Sequence, residues 1–206
     1  MQQRRFIAAI IVAAAVPHVV AAQHFTHNGK ITHVAAPLPL DTTGRFQSAI
    51  AQVGDDIFVG GQPTEAGLRE LRAKGVTTVV NLRTPEEMQR SVNFDEPAVV
   101  ARLGMKYVYI PMRGTAEFPY APQAVTTFAQ AVRDANGKVL LHCTVGWRAS
   151  HLWAAYLIAD RGIAVYSALA NARAINLMDD HRMSEGRQPV ENFLGRDLPT
   201  LGHPHR

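Results

Sequence analysis

The only cysteine of the chain, Cys143, lies between a short apolar segment and a helical pattern, and Arg148 follows it after four residues. A thiolate is a nucleophile, and a loop that leads into a helix N-terminus stabilises anions because backbone N–H groups and the positive end of the helix dipole converge there. The planar guanidinium of an arginine can bind two oxygens of a tetrahedral anion. The pattern therefore predicts a nucleophilic cysteine beside an anion-binding loop. We expect that loop to consist of Thr144, Val145, Gly146 and Trp147.

A strand and a helix must position these residues. The apolar run 138–141 is typical of a strand covered on both faces, and apolar residues at helical spacing predict a helix from about Trp147 to Asp160. The alternative for Cys143 is a buried structural thiol, because free cysteines are commonly buried. Its place between a strand and a Gly-Trp-Arg turn favours the nucleophile.

The loop resembles the cysteine-phosphatase signature His-Cys-x-x-Gly-x-x-Arg-Ser/Thr. Four residues fall in register with it: His142, Cys143, Gly146 and Ser150. The arginine does not, because four residues rather than five separate it from the cysteine, and Ala149 stands at the usual position. A four-residue gap is similar to the phosphatase-like domain of the beta-lactamase-hydrolase-like proteins and to the rhodanese active loop.

The resemblance to that phosphatase-like domain extends from about Gly54 to Asp160. It includes the motifs at 60–64 (GGQPT), 81–83 (NLR) and 107–111 (YVYIP). It implies an α/β fold of the cysteine-phosphatase type, a three-layer sandwich. Its central, largely parallel sheet would have four or five strands with helices on both faces. Strand patterns at 56–59, 76–82, 105–110 and 138–141, alternating with helical patterns, indicate the same architecture.

The proton donor expected from the resemblance is missing. In cysteine phosphatases the loop after the strand at 105–110 carries an aspartate that protonates the leaving group, but here Gly114 stands at that position. Glu117 is the only carboxylate of the loop. It is a possible general acid, and the alternative is an exposed loop carboxylate. Arg113 adds positive charge to the same loop.

Arg83 ends the predicted strand 76–82, and ligand sites of α/β proteins gather at the carboxyl ends of strands. We therefore consider it a second anion contact, with a salt-bridged surface arginine as the alternative. Thr84 and Glu87 have the spacing of a capping box, with Pro85 at the first helical position. That pattern explains both residues without catalysis.

Three functions fit the loop. The first is a phosphatase in which Cys143 forms a phosphocysteine while Arg148 and the loop N–H groups hold the phosphate oxygens. The second is a sulfurtransferase that carries sulfur on Cys143 as a persulfide, which needs no general acid and suits a smaller loop. The third is an anion-binding module without turnover. None needs a cofactor, and no metal site is predicted.

Residues 1–22 resemble a secretory signal peptide, with Arg4 and Arg5 before an apolar core and a cleavage site after Ala22. Its removal leaves 19 basic and 17 acidic residues and a net charge of +2, which indicates neither nucleic acid nor an anionic membrane surface. We expect a secreted or periplasmic protein without stable membrane insertion, acting on a small anionic substrate or a phosphoprotein. We divide the rest of the chain into an irregular segment 23–53, a catalytic domain 54–178 and a polar, loosely packed tail 179–206.

Overall fold

A computed structural model describes residues 26–27, 30–31, 34–40, 43–176 and 187–198. Six strands form one sheet in the order β3-β4-β5-β8-β6-β7. Strands β5, β8, β6 and β7 run parallel, whereas β3 and β4 continue the sheet antiparallel beyond β5. The six strands are β3 (Leu38–Pro39), β4 (Ile50–Val53), β5 (Ile57–Gly60), β6 (Val76–Asn81), β7 (Lys106–Tyr109) and β8 (Lys138–His142). Two short strands, β1 (Thr26–His27) and β2 (Lys30–Ile31), pair with each other outside this sheet.

Seven helices accompany the strands in the described part of the chain. Their starts follow familiar sequence signals, such as the side-chain cap of Thr64 on the first helix and the capping box of Thr84 and Glu87 on the second. The helices are α1 (Glu65–Ala73), α2 (Pro85–Ser91), α3 (Glu96–Arg102), α4 (Pro122–Asp134), α5 (Trp147–Ala159), α6 (Val165–Arg173) and α7 (Pro189–Leu194).

The two faces of the sheet bury separate apolar clusters, as the alternation of side chains along a strand requires. On one face, Phe58 and Leu140 pack with residues of α1 and α3. On the other, Val139 and Leu141 pack with residues of α4, α5, α6 and α7. Helices on both faces of a mostly parallel sheet confirm the predicted three-layer α/β fold.

The sheet is larger than predicted. Six strands replace the expected four or five, because β3 and β4 form a hairpin edge in the segment 23–53 that was predicted to be irregular. Both strands were easy to miss, since β3 has two residues and β4 is the short run Ile-Ala-Gln-Val. Gly54, with φ of 64°, turns the chain from β4 into β5.

The prediction of a loosely packed tail was wrong over residues 187–198. Helix α7 buries Val190 and Phe193 in the cluster that surrounds α5. The predicted signal peptide, residues 1–22, lies outside the described residues. Within those residues, no helix combines the length and the apolar character that crossing a membrane requires.

Candidate active site

Cys143 lies at the carboxyl end of β8, which is an inner strand of the sheet between β5 and β6. Its backbone N–H donates to the carbonyl oxygen of Gly60 at the end of β5, 3.3 Å away. Only 1% of the residue is exposed. The sheet therefore fixes the start of the predicted loop and leaves its thiol in a water-poor environment.

The loop after Cys143 is braced by the end of β5. Gly61 forms an antiparallel bridge with Val145, and the N–H of Gln62 donates to the carbonyl oxygen of Thr144 at 3.0 Å. The two chains lie so close that a Cβ on Gly61 would be 3.0 Å from the same oxygen of Thr144 and 2.8 Å from Cβ of Ser48. The glycine of the GGQPT motif is therefore required by this contact.

Helix α5 begins directly after Gly146, whose φ of 87° lies in the left-handed region. No side chain of the described residues caps this helix end. The N–H groups of a first helical turn have no partner within the helix and carry the positive end of its dipole. The loop therefore has the anion-stabilising geometry that the sequence predicted.

Arg148 does not project freely into this loop. Its guanidinium donates from Nη1 to the carbonyl oxygen of Met112 (2.6 Å) and from Nη2 to Oγ1 of Thr144 (3.0 Å). It also makes two hydrogen bonds to Glu87, Nη1 to Oε2 and Nη2 to Oε1, each 2.8 Å long. The arginine therefore grips a carboxylate of the protein in the way predicted for a substrate anion.

Glu87 connects three parts of the site. Its carboxylate accepts hydrogen bonds from Arg148, from Arg113 (2.6 Å) and from the backbone N–H of Thr84 (3.0 Å). Burial raises the pKa of Glu87, but the hydrogen bonds from Arg148 and Thr84 and the charges of Arg148 and Arg113 outweigh it. The pKa is thus held below its ordinary value. Glu87 is therefore an ionised anchor for Arg148 and a poor proton donor.

A second buried network lies behind the nucleophile. His142 Nε2 is 3.0 Å from Oε1 of Glu96, and both side chains are fully buried. Gln62 links this pair to Arg83, donating to Glu96 and accepting from Nη1 of Arg83 at 2.7 Å. His142, predicted only as a supporting residue, is thus held by a carboxylate from α3.

Arg83 is neither of the two things that were predicted for it. It is 1% exposed, and its remaining bonds go to the carbonyl oxygen of Glu87 (2.9 Å) and to Oγ of Ser91. A buried arginine that holds the end of β6 against α2 is neither an anion contact nor a surface ion pair. Arg113, in contrast, is exposed and forms an ion pair with Glu87.

Ser150 falls in register with the cysteine-phosphatase signature. It is buried in α5, and its hydroxyl donates to the carbonyl oxygen of Trp147 at 2.8 Å. Val145 is 45% exposed, and its carbonyl oxygen accepts from Ser48 and Asn176. The loop is thus anchored by its carbonyl groups.

The loop 111–121 fits the alternative stated for Glu117, an exposed loop carboxylate, and turns an aromatic residue inward. Glu117, the possible general acid, is exposed, whereas Tyr120 is 8% exposed and turns inward. The ring of Tyr120 meets Trp147 of the active loop edge-on, with 6.5 Å between the ring centroids. Sequence reasoning missed Tyr120, and it assigned Glu87 to capping alone. The one signal in the sequence that could have indicated that Tyr120 lies at the site is its position in the loop after β7.

The arrangement can present a nucleophilic sulfur to an anion at a helix N-terminus. One glutamate and two arginines border it. No group of three or more His, Cys, Asp or Glu side chains arranged for a metal ion occurs in the described ranges. The chemical features of the site are the thiol of Cys143, the N-terminal end of the α5 dipole and the charged residues around them.

Comparison with protein families and curated sequences relates the chain to phosphatases of the dual-specificity and tyrosine-phosphatase-like type. A family model described as "DSP-PTPase phosphatase fused to NAD+ Kinase" matches residues 32–189. The beta-lactamase hydrolase-like protein of Xylella fastidiosa is 29% identical over 112 residues, which are 54% of this chain and 25% of that protein. The match thus spans about a quarter of the length of that protein. Dual specificity protein phosphatase 26 of Bos taurus is 30% identical over 154 residues, 73% of this chain and 65% of that protein.

Solved structures share the fold. TpbA of P. aeruginosa has a TM-score of 0.57 at 18% identity, covering 81% of this chain and 94% of its own. Tk-PTP in its active form has a TM-score of 0.53 at 19% identity, covering 69% of this chain and 93% of its own. These structural matches confirm the predicted cysteine-phosphatase-like fold, and the family model and the beta-lactamase hydrolase-like relative confirm the resemblance on which the prediction rested.

Proposed function

Since the chain belongs to the family of DSP-PTPase phosphatases fused to NAD+ kinase, we propose that it hydrolyses phosphomonoesters through a phosphocysteine formed at Cys143. The observation that carries this proposal is the position of the cysteine. It lies at the carboxyl end of an inner strand, three residues before Gly146, which precedes the first residue of α5 and supplies no side-chain cap. This arrangement stabilises both a thiolate and the phosphate oxygens.

The reaction has two steps. The thiolate of Cys143 attacks phosphorus, the ester P–O bond breaks, and the alcohol leaves with a proton. Water then attacks the phosphocysteine and restores the thiolate, releasing phosphate. The loop N–H groups hold the equatorial oxygens, and the guanidinium of Arg148, anchored by Glu87, supplies positive charge beside them.

Aryl phosphates are the proposed substrate class. A TpbA structure, which shares the fold, contains phosphotyrosine. In this chain the exposed Val145 and the partly buried Trp147 offer apolar surface beside Cys143. Such surface would favour an aromatic ester over a small, fully polar one.

The test uses the purified protein with nitrophenyl phosphate and, separately, with thiosulfate and cyanide. We expect phosphate release, its loss in Cys143→Ser, and an acid-trapped phosphoryl adduct located on Cys143 by mass spectrometry. Because the chain has only one cysteine, thiol alkylation at Cys143 gives an independent inactivation control. Phosphate release that survives in Cys143→Ser would refute the proposal, and thiocyanate formation would replace it with sulfur transfer.

We also propose that the protein is exported through residues 1–22. Arg4 and Arg5 followed by an apolar core and the small residues Ala21 and Ala22 support a cleaved signal. The expected result for the full chain expressed in bacteria is a periplasmic or secreted product that begins at Gln23. Cytosolic protein that retains residues 1–22 would contradict this.

A further inference from the structure

A cavity of about 400 Å³ lies between α2, the start of α3 and β7, the edge strand of the sheet. This volume is in the range of small-molecule sites, which are mostly apolar with a few polar groups. None of the described residues that line the cavity belongs to the active loop 143–148, so it is separate from the candidate active site. Its walls include Met88, Phe94, Asp95, Glu96, Tyr107 and Tyr109.

Aromatic side chains from two parts of the chain line this cavity. Tyr107 and Tyr109 are two residues apart on β7 and therefore lie on the same face of the strand. Their rings are nearly parallel, at 21°, with 6.1 Å between the centroids. Phe94, in the turn between α2 and α3, adds a third ring. Since Tyr109 is 41% exposed, solvent and a ligand can reach its ring.

The wall that contains Tyr107 is held in place by hydrogen bonds. Its hydroxyl accepts from Nδ2 of Asn81 at 2.8 Å, and the same Nδ2 is 3.2 Å from Sδ of Met88 on α2. Asn81 thus joins the β7 side of the cavity to the α2 side. A preformed wall lowers the ordering cost that a ligand must overcome.

The charged groups of the cavity are acidic. Asp95 is exposed, and its Oδ1 accepts the N–H of Ala98 at 3.0 Å as the cap of α3. Burial raises the pKa of Glu96, but its bonds to His142 and Gln62 hold the pKa below its ordinary value, so this carboxylate is ionised too. None of the described residues that line the cavity is a lysine, arginine or histidine. The electrostatics therefore favour a cation here, whereas the active loop favours an anion.

We propose that this cavity binds a small organic cation of the quaternary or methylated ammonium class. Aromatic rings attract such a cation when its charge lies within about 6 Å of the ring centroid, and the carboxylate of Asp95 adds charge attraction. The apolar substituents of the ammonium suit the apolar wall formed by Met88 and Phe94. The inference does not depend on the proposed phosphatase function, because the cavity and the active loop share no described residue.

Choline is the probe, and 3,3-dimethylbutan-1-ol, in which carbon replaces the charged nitrogen, is its neutral counterpart. NMR titration of the purified protein measures Kd for both compounds. We expect choline to bind about fivefold more tightly than the alcohol or better, the size of a cation–π interaction at a partly exposed site.

Two substitutions separate the ring from the charge. Tyr109→Leu should raise Kd for choline about fivefold, whereas Tyr109→Phe keeps the ring and should leave Kd nearly unchanged. Asp95→Asn removes the charge and keeps the helix cap, since asparagine caps as well as aspartate does. It should weaken choline binding at low ionic strength and leave binding of the alcohol unchanged. The matched controls are Tyr166→Leu, at a 73% exposed tyrosine of α6, and Asp55→Asn, in the turn between β4 and β5.

The inference is refuted if choline does not bind in the millimolar range, if the alcohol binds equally well, or if Tyr109→Leu leaves Kd for choline unchanged. Binding of phosphatidylcholine vesicles without binding of free choline would also refute it, because a lipid surface would then be the ligand. If the variants do not fold, the amide shifts of the wild type decide. The largest choline-induced changes at 94–96 and 107–109 support the cavity, and the largest changes at 143–148 would place the cation at the active loop instead.

Discussion

The carboxylate of Glu87 holds the guanidinium of Arg148 through two hydrogen bonds of 2.8 Å, across 61 positions of sequence. The same carboxylate accepts the N–H of Thr84 and so begins α2. One side chain thereby fixes both a helix start and the guanidinium of the arginine that follows the Cys143 loop. The ion pair is largely buried, so its loss should affect stability as well as activity.

Glu87→Ala should destabilise the protein by about 3 kcal/mol, because it leaves a buried arginine without its partner. The free energy of unfolding in urea measures this loss. Glu86→Ala is the matched control on the same helix, since Glu86 is exposed and its pair with Arg90 lies at the surface. Equal stability of the two variants would show that the Glu87–Arg148 pair contributes no more than a surface pair.

Arg148→Lys should lower activity and stability by more than its conserved charge suggests. A lysine cannot make the two parallel bonds to Glu87 and at the same time donate to Met112 and Thr144. We expect a clear loss of kcat/KM for nitrophenyl phosphate together with a lower midpoint of unfolding. The control is Arg69→Lys, at an exposed ion pair of α1. If both properties of Arg148→Lys match the wild type, the fork geometry of Arg148 is irrelevant.

The buried pair of Glu96 and His142 should make stability depend on pH. Burial raises the pKa of Glu96, but the charge and hydrogen bond of His142, the hydrogen bond of Gln62 and the charge of Arg83 hold it below its ordinary value. The unfolded state therefore binds more protons in the acid range, and stability rises with pH. This contribution of Glu96 to stability is complete above its pKa in the unfolded state, about 4.3, and is lost as the pH falls through its lower pKa in the folded state.

Urea unfolding between about pH 5 and pH 3 tests this dependence, since that range spans the unfolded pKa of a glutamate. The wild type should lose stability as the pH falls, and Glu96→Gln should lose less over the same range. Glu86→Gln, at an exposed position, should follow the wild type. A slope in Glu96→Gln as steep as that of the wild type would contradict the assignment.

Phe193→Ala should show that the C-terminal helix belongs to the catalytic unit. Phe193 is 1% exposed and packs on Tyr120, so its truncation should cost about 3–5 kcal/mol and lower phosphatase activity. Thermal unfolding and kcat/KM are the two measurements, with the exposed Arg196→Ala as the control on the adjoining turn. Unchanged values would mean that α7 is dispensable for the site.

Local patterns in the sequence were sufficient for the parallel core of the fold. The four strands predicted from apolar runs correspond to β5, β6, β7 and β8, and the helix predicted from about Trp147 to Asp160 is α5. The capping box of Thr84 and Glu87 indicated the start of α2 for the same reason, because the partners of a cap lie within four residues. The hairpin edge of β3 and β4 and the helix α7 were missed because long-range packing, rather than local propensity, stabilises such short elements.

Cys143 could be proposed as the nucleophile from the sequence because the cysteine, its loop and α5 are adjacent along the chain, so local spacing encodes their geometry. The residues that surround Cys143 from other parts of the chain could not be predicted in this way. Glu87, Glu96 and Tyr120 come from three separate elements, and the folded sheet and its helices bring them to Arg148, His142 and Trp147, which flank Cys143 along the chain. A carboxylate that caps a helix and one that also holds a buried arginine have the same local sequence pattern. The direction of the side chains in the loop 111–121 likewise follows from its turn and from the packing of Phe193. The sequence by itself determined that a lone cysteine stands between a strand and a helix N-terminus, and the tertiary structure decided which groups surround it, because those groups meet only when distant segments pack together.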